Sequence, residues 1–271
     1  MIKDFSKYKR FFAFGCSCTK YKWPTWADII KEEINDVEYY NFGKIGLGNV
    51  FIANRVAEAN KRFKFTESDL VMVMWTSFTR EDRWFDGRWQ GEGNIFNQNL
   101  YPEPWVRKYA DPDGYLIQNY STIELTKIYL ESLPSDSLML SAWPFTLLEN
   151  NSINDGLFSK DIMDQCEKLY KDTVQDIPLA LRTWTENKLG PNTSDFHVYG
   201  HTYTIGNTLR KDGHTNPRWY YHYLKDLNFP LTDKSKHFAY KSLELLETCK
   251  TEEQLLETFK ECNKYINTGM F

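Results

Sequence analysis

No stretch of this chain has an apolar run of membrane-spanning length, and the N-terminus MIKDFSKYKRFF lacks the apolar region of a secretory leader. The expected setting is cytoplasmic, with no membrane partner. Cysteine is sparse and irregular. Five residues, an odd number in no regular framework, exclude a disulfide-stapled scaffold and fit a reducing compartment. A basic excess is missing as well: the net charge is -4 and no Lys/Arg stripe stands out, so no nucleic-acid partner is expected. Repeats, low-complexity tracts and linkers are absent. What remains, 271 residues of which 41% are hydrophobic, suffices for one large globular domain with insertions.

Aromatic side chains are abundant: 9 Trp, 17 Tyr and 18 Phe can form a core, a sugar-stacking surface or an interface, and their number selects none of these. The order of apolar runs is more informative. FAFGCSCTKYKWPTW (12–26) reads as a buried strand turning sharply at Gly15, with a helix from Trp23 to about residue 35. Residues 37–42 form a second strand, and VFIANRVAEANKRF has helical spacing. LVMVMW (70–75) is a continuous apolar strand, expected to be buried on both faces. Residues 78–118 lose periodicity and read as an insertion or lid, followed by a helix at 121–133 and a strand at 137–143. This alternation predicts a three-layer α/β/α domain around a central parallel sheet. Further on, residues 158–171 read as a helix, 195–199 as a short strand, and 217–271 as a helical C-terminal extension. Asn216-Pro217 opens that extension, and a Thr251 to Gln254 capping box starts its final helix.

Ser17 stands on the loop after the first strand, where open α/β sheets place their ligand chemistry. Further along, Asp212-Gly213-His214 sets a carboxylate and an imidazole close together in sequence. Each has a plainer reading. Ser17 can be a small residue at a tight turn, and Asp212 to His214 a turn before a helix. Cys16 or Cys18 can replace Ser17 as nucleophile or form a redox or zinc pair, although no second Cys pair follows. His222 reads as a packed helix residue, and His197 with His201 as loop residues. Trp84, Trp89 and Trp105 fit a sugar cleft or lid packing, and Arg80 fits either a surface ion pair with Glu81 or a grip on substrate.

In order and position these blocks resemble the SGNH, or GDSL-type, hydrolases. Gly15-Cys16-Ser17 matches the family's Gly-Asp-Ser with Cys in place of Asp. NFGKIGLGN looks like the block whose Gly amide serves an oxyanion hole, with Gly46 the best match. MWTSFTRED stands where the family has Gly-x-Asn-Asp, so Thr76 occupies the Asn position and Ser77 the Asp position. That segment is similar to SGNH-like proteins of bacteriophages and marine bacteria. Asp212-Gly213-His214 resembles the family's Asp-x-x-His with one residue fewer, a spacing found in SGNH-like acetyltransferases. The resemblance implies a flavodoxin-like sheet and a Ser17, His214, Asp212 triad. It also implies oxyanion donors at Ser17, Gly46 and Thr76, with substrate contacts from Arg80, Trp84 and Trp89. No cofactor or metal is implied. The expected function is a serine esterase hydrolysing or transferring an acyl group, O-acetyl on a carbohydrate. Its alternative is an inactive SGNH-like module, virion-associated, that holds a glycan or a protein.

Overall fold

The computed structural model describes residues 2, 4–91, 93–96, 100–144, 157–189 and 200–263. The chain opens with β1 (Arg10–Gly15), α1 (Trp26–Glu33), β2 (Glu38–Asn41), α2 (Asn49–Phe63) and β3 (Asp69–Trp75). A hairpin of β4 (Arg83–Phe85) and β5 (Arg88–Gln90) follows, then α3 (Glu103–Tyr109), α4 (Pro112–Glu131) and β6 (Asp136–Ser141). After α5 (Lys160–Leu169), α6 (Lys171–Asp176) and α7 (Leu181–Leu189) comes a second hairpin, β7 (His201–Ile205) and β8 (Thr208–Asp212). The described chain ends with α8 (Pro217–Asp226), α9 (Asp233–Thr248), α10 (Glu252–Thr258) and α11 (Lys260–Asn263).

β2, β1, β3 and β6 pair in that order and are all parallel, the expected doubly wound arrangement. The two-residue period of a strand sorts their side chains into two layers. Phe11, Ala13, Leu70, Met72 and Leu140 face α1, α7, α8 and α9. Phe12, Phe14, Val71, Val73 and Met139 face α2, α4 and α5. Every residue of β3 is buried, as its unbroken apolar run requires. The segment read as an extension supplies much of one layer, since Tyr220, Tyr223 and Leu224 of α8 and Ala239 of α9 pack with Phe11 and Trp26. A third, smaller cluster joins Tyr21 and Trp23 to Tyr203 of β7 and to Leu246, Leu255 and Phe259. No helix among the described residues is long and apolar enough to cross a membrane.

Several boundaries differ from the sequence reading. α1 begins at Trp26, because Thr25 takes the cap position and its N–H donates to the Asp28 carboxylate at 2.8 Å. α4 begins at Pro112, nine residues before the expected start: the Asp111 side chain accepts from the Gly114 N–H at 2.8 Å, and Pro112 suits the first turn. The region read as an insertion or lid thus carries the β4–β5 hairpin, α3 and the beginning of α4. It is pinned to the core by Asp82, whose carboxylate accepts from the N–H groups of Gly48 at 2.6 Å and Phe51 at 2.8 Å at the start of α2. Burial pushes that carboxyl up to about 6 against the lowering effect of these N–H donors. The strand expected at 195–199 lies outside the described residues.

At Gly15 the turn needs its glycine. A Cβ there would lie 2.0 Å from Thr19 Oγ1 and 2.9 Å from the Met74 carbonyl oxygen, with β3 backbone on one side. Gly15→Ala should therefore destabilise the domain by about 1–3 kcal/mol, the usual effect of overpacking. Urea unfolding checks this, and an unchanged midpoint would contradict it.

Candidate active site

Three segments meet at the carboxyl ends of β1 and β3. After Gly15 the chain turns tightly, with the N–H groups of Thr19 and Lys20 donating to the Cys16 carbonyl at 2.9 and 3.2 Å. This turn presents Ser17, only 3% exposed, at the wall of a cavity of about 330 Å³. The β7–β8 hairpin ends at Asp212, and the following bend sets His214 beside it. The N–H of Trp219 donates to the Asn216 side chain at 3.2 Å, fixing the entry into α8 just beyond.

His214 Nε2 is 2.8 Å from Ser17 Oγ, and His214 Nδ1 is 2.7 Å from Asp212 Oδ1. The Asp212 side chain is 2% exposed and that of His214 28%. With Nδ1–H donating to the carboxylate, Nε2 is left to accept the Ser17 hydroxyl proton. The carboxylate is held from every side. Asp212 Oδ1 also accepts from the His214 backbone N–H at 3.1 Å, while Oδ2 accepts from the hydroxyls of Tyr21 and, at 3.1 Å, Tyr203. Burial alone would raise the Asp212 carboxyl. The hydrogen bond and charge of His214, with Tyr21, outweigh it and hold the group well below the usual carboxylate range. Burial, then the neighbouring Asp212 charge, pushes the Tyr21 phenol up, so it stays a neutral donor.

Tyr21 was not singled out in the sequence, yet it touches both partners. Its ring stacks on the His214 imidazole with centroids 3.8 Å apart and planes 18° from parallel. Trp23 packs edge-on against Tyr21 at 4.6 Å, and its indole N–H donates to the Thr215 carbonyl at 3.0 Å. Lys22 extends the network, donating to the Tyr203 hydroxyl at 2.9 Å and pairing with Glu252 of α10. The imidazole is thereby fixed in plane and in tautomer.

The structure brings Ser17, Asp212, His214 and Arg80 together around the cavity, whose wall also includes Cys18, Trp143, Leu181 and Arg210. Gly46 and Thr76 do not line it. Gly46 has a left-handed φ of 82°, and its carbonyl accepts from the Gly93 N–H at 3.1 Å. Its own N–H, like that of Ser17, donates to no described acceptor. Thr76 is fully buried, and its N–H donates to Asn49 Oδ1 at 2.9 Å. Asn49 and Asn119, joined at 2.7 Å, form a buried amide network behind the β3 loop. Thr76 Oγ1 is buried without a hydrogen-bond partner among the described residues. Trp84 and Trp89 face each other across the β4–β5 hairpin with ring centroids 6.0 Å apart, away from the cavity wall. Trp84 is 47% exposed, whereas Trp89 packs on Phe51.

The two thiols flanking Ser17 differ in place. Cys16 is fully buried under the turn and Cys18 lies on the cavity wall. Cys16 next to it and burial push the Cys18 thiol well up, which disfavours a thiolate. His214 Nε2 engages the serine and neither thiol. Among the described residues no group of three or more His, Cys, Asp and Glu side chains is placed to hold a metal ion. His222 shares a hydrogen bond with Tyr240 at 3.0 Å on the α8 and α9 surface, and His201 one with the Cys249 carbonyl at 2.8 Å; His197 lies outside the described residues.

No protein-family model and no curated protein matches the sequence. Among solved structures the chain is similar to a catalytic mutant of an acetylxylan esterase from Geobacillus stearothermophilus, at 13% identity and a TM-score of 0.45, over 85% of this chain and 99% of that one. A protein from Bacillus subtilis aligns at 15% identity and a TM-score of 0.40, over 84% of this chain and 59% of the other. A lipolytic G-D-S-L family protein from Veillonella parvula aligns at 14% identity and a TM-score of 0.39, over 87% of this chain and 96% of the other.

Proposed function

We propose that the protein is a serine esterase of SGNH type, hydrolysing or transferring a small acyl group, O-acetyl on a carbohydrate being the assigned substrate class. The observation that carries this is the unbroken chain from Ser17 Oγ through His214 to Asp212, at 2.8 and 2.7 Å. It is built by two segments almost 200 residues apart. In this reading His214 takes the Ser17 proton as the hydroxyl attacks the ester carbonyl, and Asp212 orients the imidazole and stabilises its cation. The tetrahedral oxyanion is received by the unengaged N–H of Ser17, Gly46 lying off the cavity wall. His214 then returns the proton to the departing alcohol, and a water or acceptor hydroxyl repeats the sequence on the acyl-enzyme. Trp84 and Trp89 remain candidate glycan contacts on their hairpin.

Thr76 favours the second reading, a binding module that has lost catalysis, because the position that supplies a third oxyanion donor in the family is buried here. Absence of that donor lowers turnover by about 10²-fold or more without removing the triad. Hydrolysis of p-nitrophenyl acetate separates the readings. The esterase gives a rate well above that of buffer, which Ser17→Ala removes. Asp212 stays ionised far below the ordinary carboxylate range, so its own protonation should not limit the rate across the mildly acid to neutral range. The same depression means that Asp212 adds its full stability above the unfolded-chain value, and that this is lost only as pH falls through the lowered native value. A rate equal to that of buffer across the range would favour the binding module.

A further inference from the structure

The cavity at Ser17 has a charge that the rest of the chain does not share. The whole protein carries a net -4, yet the cavity wall holds Arg80, Arg182, Arg210 and Lys211 against only Glu186 and Asp212. Both acids are already engaged. Glu186 pairs with Arg182 one helical turn away on α7 at 2.8 Å, and Asp212 is occupied by His214. Arg80, Arg210 and Lys211 form no direct ion pair among the described residues. Asp82 does act on Arg80, but its buried carboxylate is already taken up by the N–H groups of Gly48 and Phe51. Arg80 is half-buried and fixed at one end, its Nη1 donating to the Leu47 carbonyl at 2.9 Å, which leaves most of its planar donor fork free. Arg210 lies two residues before Asp212 on β8 and shares its face, so the strand that sets the triad also sets this charge, while the exposed Lys211 between them stands on the other face at the cavity rim. Cations in excess of acids around a partly enclosed cleft focus the field and favour an anionic ligand.

We infer that the ester turned over at Ser17 carries an anionic group on its alcohol portion, seated by Arg80 and Arg210, with Lys211 adding to the positive field at the rim. This rests on the esterase reading for its position: a small acyl group has no room for a charge, so the charge belongs to the alcohol. Carboxylate, phosphate and sulfate share the required chemistry. Trp143, with Arg182 stacked over its ring at 5.0 Å, and Leu181 supply an apolar wall for the uncharged part of the substrate.

The test compares acetyl esters of 3-hydroxybenzoate, 3-hydroxyphenyl phosphate and the neutral 3-hydroxybenzamide. At low ionic strength the charged esters should exceed the neutral one about 10-fold or more in kcat/KM, mainly through KM, and the advantage should shrink with added salt. The relative rates of the benzoate and phosphate esters identify which anion is preferred. In the Arg210→Gln/Lys211→Gln double variant the ratio of charged to neutral ester should fall towards one. Equal kcat/KM for all three esters, or a ratio unchanged in the double variant, would overturn the inference. Binding decides it separately from catalysis. Calorimetric titration of the Ser17→Ala protein should detect 3-acetamidobenzoate and not 3-acetamidobenzamide, with binding weakened by Arg80→Gln. Selective binding without any ester turnover would count against the esterase reading alone, whereas absent or unselective binding would sink the anion site itself.

Discussion

Ser17→Ala and His214→Ala should each lower kcat for short-chain acyl esters by at least about 10³-fold, and the double variant should be little worse than either alone. The two side chains form one proton-transfer unit at 2.8 Å, so removing either member disables both. What remains is whatever the backbone donors and the cavity contribute by binding. Ser17 is small and sits on a turn held by backbone hydrogen bonds to Cys16, so its truncation should leave the unfolding midpoint nearly unchanged. Losses that simply multiply in the double variant would mean that the serine and histidine act independently. Retention of more than about a tenth of the rate by Ser17→Ala would remove the serine from the mechanism.

Asp212→Asn should lower kcat by about 10⁴-fold while KM changes little. An amide at this position can present an N–H to His214 Nδ1, which favours the tautomer that protonates Nε2 and leaves Ser17 without a base. Tyr21→Phe is the milder companion. It deletes one donor to the carboxylate but keeps the stacked ring and the Tyr203 hydroxyl at 3.1 Å, so a fall in kcat of about 10-fold is expected, with KM again little changed. Circular dichroism and thermal unfolding separate a misoriented imidazole from a damaged fold. If Asp212→Asn matched the wild-type rate in a folded protein, the orienting role would fall.

The doubly wound core was legible because the rules that produce it are local. The 70–75 apolar run, the Gly15 stop and the helical spacing of 50–63 each declare an element without reference to the rest. Ser17 followed from its position after β1, and Asp212 with His214 from their resemblance to the Asp-x-x-His block of the SGNH hydrolases. The β7–β8 hairpin was missed although Gly206-Asn207 is a two-residue turn signal, with Gly206 at a φ of 57°. Its strands carry alternating polar residues that bury only Tyr203 and Asp212, and so give no apolar period. Tyr21 was out of reach for a different reason. Its role arises from a contact with Asp212, 191 residues away, and nothing in the local sequence marks it. The unbalanced charge of the cavity is likewise a property of the assembled fold. Arg80, which the sequence offered as a grip on substrate, comes from the loop after β3, whereas Arg210 and Lys211 come from β8, where nothing in the local sequence marks them.

Reaction with an active-site fluorophosphonate, mapped by peptide mass spectrometry, tests the central claim most directly. The geometry predicts one phosphonyl adduct, on Ser17, formed rapidly by the native protein, strongly slowed in His214→Ala and lost on unfolding. An adduct confined to other residues, or no adduct on folded protein at any pH where the imidazole is neutral, would contradict a serine nucleophile at Ser17.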